Sequence, residues 1–128
     1  MVFVKGATLY TNPKQLMPQP TWEQVLIALG ELDTDAASAL QLVGEGEGVA
    51  MTVFGTRGKY HVEVAIDSEE FFSYGPTGPS SDEMVEIADE TFAADQVFSD
   101  RDLLTAIVQA FWETGDRYDE KHWIREVQ

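Results

Sequence analysis

Residues 59–66 alternate strictly. Tyr60, Val62, Val64 and Ile66 fall on one side of an extended chain, with His61, Glu63 and Ala65 on the other. A period of two does not fit a helix, and it sets an apolar face against a polar one. Such a half-exposed strand belongs to an antiparallel sheet, because parallel strands are covered on both faces. The flanking segments extend the pattern. Residues 39–43, 49–54 and 69–74 are rich in β-branched, aromatic and other apolar side chains. Turns divide them. Glu45, Gly46, Glu47 and Gly48 form the first. Gly55, Thr56, Arg57 and Gly58 form the second, with two glycines able to take positive φ. Asp67 and Ser68 form the third. The centre of the chain therefore reads as an antiparallel meander.

Helices are expected on either side of it. Thr21 is a good N-cap, with Gln24 placed to close a capping box, and Trp22, Val25, Leu26 and Leu29 follow at helical spacing. Near the other end, Ser99 is the expected N-cap and Asp102 lies three residues on. Leu103, Leu104, Ile107, Val108 and Phe111 form one stripe, and Gly115 is placed to stop the helix. Residues 2–10 read as a first strand interrupted at Gly6, and the prolines at 13, 18 and 20 make the next stretch a loop. Residues 75–81 are also a loop, 84–87 a short strand, and the tail holds Tyr118, His122 and Trp123. The expected fold is α+β: one domain over residues 1–128, an antiparallel meander with two main helices packed on one face.

Composition narrows the chemistry. The 128 residues include no cysteine, which excludes disulfides, thiolate metal sites and cysteine nucleophiles. That absence fits a reducing cytoplasm, as does the lack of a secretion signal or a long apolar run. The two histidines, His61 and His122, have no nucleophile motif beside them and are expected at the surface. Asp67, Glu69 and Glu70 do not form a calcium-loop pattern, and no phosphate-binding glycine fingerprint is present, so no metal or cofactor is expected. Trp22, Phe54, Phe111 and Trp112 are expected to be packing residues.

Charge is the outlier. Twenty-three acidic residues face eight basic ones, a net charge of −15. Such a surface repels nucleic acid and anionic membranes and attracts basic proteins. From Val62 to Asp100 there is no lysine or arginine, whereas eleven carboxylates fall there. Purely solvating charge is ordinarily mixed in sign.

Two blocks of the chain carry a family resemblance. One comprises Met51 to Phe54, the glycine turn, Tyr60 to Asp67 and Glu70 to Gly75. The other runs from Val97 through Leu104 to Phe111 and on to Trp123. Together they resemble the Imm-one type immunity proteins of bacterial polymorphic toxin systems, over roughly residues 49–124. In that family a sheet passes into a loop after an aromatic–x–x–Gly stretch, here Phe72 to Gly75. A final amphipathic helix is then followed by a tryptophan, here Phe111 and Trp123. The resemblance implies a non-enzymatic protein that binds a cognate toxin domain and blocks its active site. In this family the toxins are often nucleases or nucleic-acid deaminases, which need a basic cleft for phosphates.

The expected toxin-binding surface is Asp67, Glu69, Glu70, Tyr74, Asp82, Glu83, Glu86, Asp89 and Glu90: a loop flanked by carboxylates without cations, with a tyrosine at its edge offering contact area. Three other readings of the same residues stand beside it. The acidity can serve solubility alone. The chain can be an acidic adaptor or DNA-mimic module acting on a host nucleic-acid-binding protein. It can also be a small hydrolase or isomerase with a carboxylate centre.

Overall fold

The computed structural model describes residues 3–11, 13–34, 38–44, 48–66, 70–75, 84–87, 90–118 and 123–127. Seven strands form one antiparallel sheet: β1 (Val4–Leu9), β2 (Gln15–Pro18), β3 (Ala39–Gly44), β4 (Ala50–Thr56), β5 (Lys59–Ala65), β6 (Glu70–Tyr74) and β9 (Trp123–Val127). Their order across the sheet is β2-β1-β3-β4-β5-β6-β9. β7 (Met84–Ile87) and β8 (Glu90–Ala93) pair as a separate hairpin. Two helices, α1 (Trp22–Glu31) and α2 (Arg101–Thr114), pack on one face of the large sheet.

The helix-covered face holds the main core. Leu40 and Leu42 of β3, Met51 and Val53 of β4, and Tyr60, Val62 and Val64 of β5 meet Val25 and Leu29 of α1 and Leu104, Ile107, Val108 and Phe111 of α2. Local chemistry starts both helices. The Thr21 hydroxyl accepts from the Gln24 amide while the Gln24 side chain accepts from the Thr21 amide, so the expected capping box is formed. For α2 the cap lies one residue beyond Ser99. Asp100 accepts from the Leu103 amide at 3.1 Å, a carboxylate at the positive end of the helix. Gly115 ends α2 in the left-handed conformation, φ 79°.

The structure corrects several sequence expectations. Gly6 does not interrupt β1. Val4 pairs with Gly44 and Gly6 with Val43, so Lys5 is the extra residue of a bulge. The proline-rich loop contains β2, which pairs with β1 from Gly6 opposite Pro18 to Leu9 opposite Gln15. Pro18 is tolerated because β2 is an edge strand. Gly55 lies inside β4, opposite Tyr60, with Leu32 packed against it. The turn itself is Arg57-Gly58, φ 40° and 82°, the two left-handed residues that a tight hairpin requires. Trp123 lies in β9, paired with Tyr74 of β6, and is not part of a loose tail.

His61 was expected at the surface and is 1% exposed. Alternation does place it on the face opposite Tyr60 and Val62, but the β7–β8 hairpin covers that face. Its ring stacks on Phe92 with centroids 4.0 Å apart, and Phe54 completes the cluster at 5.1 Å from Phe92. The expected turns at Glu45 to Glu47 and at Asp67 and Ser68, the loop from Pro76 to Ser81, and His122 lie outside the described residues.

The Phe3 ring closes the open end of the core. It stands edge-on to Phe111 at 5.5 Å, and its amide donates to the Trp112 and Glu113 carbonyls of α2. A Cβ on Gly44 would run into that ring, and one on Gly115 would lie 2.8 Å from it. Gly44→Ala should therefore destabilise the fold by about 1–3 kcal/mol through overpacking. In a Phe3→Ala background the same change should cost much less, a coupling of roughly 1 kcal/mol or more by urea unfolding. Additive costs would show that the ring is not the obstacle.

Candidate functional site

The β7–β8 hairpin carries two of the described residues of the expected acidic surface, Glu86 and Glu90. Cross-strand register decides which way its side chains project. Val85 lies opposite Phe92, and Ile87 opposite Glu90. Directly paired residues share a face, so Val85, Ile87, Glu90 and Phe92 form the sheet-facing side, and Met84, Glu86 and Thr91 the outward side. Ile87 and Phe92 are buried accordingly, and Met84, Glu86 and Thr91 are exposed. Glu90 is the exception. It has the inward register yet is exposed.

Of the expected binding residues, Glu86 and Glu90 thus share one hairpin, exposed on its opposite faces. Glu70 lies in β6, partly buried. Tyr74 was expected as a contact residue at a loop edge, and the structure overturns that. It is 2% exposed, with its ring edge-on to Trp123 at 5.2 Å and to Phe98 at 5.5 Å. Pairing of β9 with β6 encloses it, a long-range contact that the neighbouring loop sequence does not reveal. Asp67, Glu69, Asp82, Glu83 and Asp89 lie outside the described residues.

A cleft of about 380 Å³ opens where Glu90 meets the sheet, lined by Tyr10, Ser38, Ala39, Gln41, Thr52, Phe54 and Glu90. Thr52 lies opposite Gln41 and Phe54 opposite Ala39, so the floor consists of adjacent rows on β3 and β4. The Gln41 side-chain amide approaches the Thr52 hydroxyl at 3.5 Å. Sequence patterning marked Phe54 as core and passed over the polar floor, because residues from two strands, their flanking segments and the hairpin meet there only in space. A second cleft, about 440 Å³, lies at the start of α1 and is lined by Val4, Lys5, Gln19, Pro20, Thr21, Trp22 and Trp112. There the two indole rings lie 5.4 Å apart, and the Trp112 indole N–H donates to the Pro20 carbonyl.

Two polar groups with catalytic potential are engaged in structure. The His61 Nδ1 lies 2.8 Å from the Gln96 carbonyl, which can only accept, so Nδ1 carries a proton. The Nε2 faces the Glu63 carboxylate at 3.5 Å. Both ring nitrogens therefore have protein partners. The Tyr60 hydroxyl donates to Asp33 at 2.5 Å, and Asp33 also accepts from the Gly58 amide and pairs with Arg101. Burial raises the Tyr60 phenol above its ordinary value of 10.0, the Asp33 hydrogen bond raises it further, and Arg101 opposes both. Among the described residues no group of three or more acidic or histidine side chains is placed to hold a metal. No described helix is long and apolar enough to cross a membrane.

Comparison with known proteins informs the fold. No family model matches the sequence, and no curated protein sequence matches it. The chain is similar in structure to a hypothetical protein from Neisseria gonorrhoeae solved by crystallography, with a TM-score of 0.60 and 13% sequence identity, covering 86% of this chain and 85% of that one. At that identity the likeness concerns the fold alone.

The raised phenol has a consequence at high pH. Above the ordinary tyrosine value the unfolded chain loses the Tyr60 proton while the folded chain keeps it. The stability that the phenol contributes is complete below about pH 10 and is lost as the pH climbs through the folded value. Tyr60→Phe removes this titration. Its unfolding free energy should fall less steeply than that of the parent as the pH rises above about 10, in urea titrations at several pH values. Parallel slopes would count against the phenol as the titrating group.

Proposed function

We propose that this chain is an immunity protein that binds and neutralises a cognate bacterial toxin domain, a nuclease or nucleic-acid deaminase, by covering its basic active-site cleft. The observation that carries the reading is the segregation of charge: eleven carboxylates and no lysine or arginine from Val62 to Asp100. Glu86 and Glu90, both exposed, display part of that charge on the β7–β8 hairpin. A toxin that holds phosphates needs a positive cleft, and an acidic inhibitor occupies it by matching the field its substrate would supply. Complementary fields speed encounter, toward about 10⁸–10⁹ M⁻¹s⁻¹ at low salt, and select against neutral or acidic partners. The family resemblance of residues 49–124 supports the same reading, which places the protein in the cytoplasm of the toxin-producing cell.

Co-expression with the toxin domain encoded beside it tests this directly. The chain should rescue growth and form a stable complex. Folded chain without rescue would remove the reading, and selective capture of a host DNA-binding protein would favour the acidic-adaptor alternative. The surface is tested separately. The Glu83→Lys/Glu86→Lys pair should weaken toxin binding by roughly tenfold to a hundredfold, mainly through slower association, with a smaller effect at high salt. Its unfolding free energy should stay within about 0.5 kcal/mol per site of the parent. Unchanged affinity would move the interface away from this hairpin.

A further inference from the structure

Glu90 occupies a register position that the fold otherwise fills with apolar side chains. It shares the sheet-facing side of the hairpin with Ile87 and Phe92, both buried. A carboxylate aimed at a sheet face carries a desolvation cost unless it is paired or opens to water. Here it opens to water, at the wall of the 380 Å³ cleft. Among the described residues its side chain has no ion-pair partner, and no lysine or arginine lines the cleft. The remaining walls are uncharged and able both to donate and to accept: the Ser38 and Thr52 hydroxyls and the Gln41 side-chain amide, beside the aromatic residues Tyr10 and Phe54.

We propose that this cleft is a socket for an arginine side chain of the protein partner. A guanidinium suits it for three reasons. Its positive charge complements the single carboxylate. Its planar face stacks on aromatic rings, which an ammonium does less well. Its five N–H donors can bond the Glu90 carboxylate together with the neighbouring hydroxyl and amide oxygens. The volume lies within the range of small-ligand pockets, about 300–1,000 Å³, and holds one side chain with its backbone outside. That the arginine belongs to a protein rests on the binding function proposed above. The socket chemistry does not, and it is tested without any partner.

The probe is N-acetyl-arginine methylamide, with the citrulline analogue as its neutral counterpart of nearly the same shape. In amide NMR titrations of the full chain, the arginine probe should shift Thr52, Phe54 and Glu90 saturably, with an affinity on the order of millimolar. The citrulline probe should leave them in place, and Glu90→Gln should weaken the arginine probe by roughly tenfold. Glu90 is exposed, so this variant should keep the parent amide spectrum away from the cleft. Equal shifts with citrulline, equal binding by Glu90→Gln, or no saturable shift would each overturn the proposal. Binding of the arginine probe without growth rescue would retain the socket and reject the immunity reading. Rescue without probe binding would do the reverse.

Discussion

The buried phenol of Tyr60 ties together more of this molecule than any other side chain. A hydroxyl carried into a core must be satisfied, because an unpaired one costs about 1–3 kcal/mol. Tyr60 donates to Asp33, in the 3₁₀ turn that follows α1. Asp33 then takes the Gly58 amide of the β4–β5 turn and the Arg101 guanidinium of α2. The Tyr60 backbone exchanges two hydrogen bonds with Phe98, just before α2 begins. The end of one helix, the β4–β5 hairpin and the start of the other helix therefore meet at one residue. Arg101 is partly exposed, so its ion pair alone would stabilise little. Its value lies in holding the carboxylate that satisfies the phenol.

The same strand organises the opposite face. Next to Tyr60, His61 projects away from the helices and meets Phe92 of the hairpin. Its Nδ1 proton is taken up by Gln96, in the 3₁₀ turn that follows β8. These contacts seat β7–β8 on the sheet and hold Glu90 beside Thr52 and Phe54. The surface proposed to bind a partner thus depends on a buried histidine and an aromatic stack.

A net charge of −15 on a chain of this length works against compactness through self-repulsion. The continuous apolar core between sheet and helices offsets that cost. Repulsion is lowest when the charge faces solvent, and the exposed positions of Glu86 and Glu90 fit that requirement. It falls further when a basic partner covers them, which links the composition to the proposed function.

Local patterning determined much of this protein. The alternation around Tyr60 specified the central strands, the Thr21 box and the Leu104 to Phe111 stripe specified the helices, and charge counting located the acidic stretch. Each is a short-range property, decided by residues within a few positions of one another. What tertiary structure alone decided was whatever depends on a distant partner. β9 joins the sheet by pairing with β6 across a long separation. Tyr74 is enclosed because Trp123 returns to it, and His61 is covered because the hairpin folds back over β5. Alternation shows that two faces differ and not what covers each, so the polar face was read as wet when part of it is buried. The Glu90 cleft has the same origin: its walls come from β3, β4, β8 and the residue that follows β1, and they become neighbours only when the sheet and the hairpin are packed together.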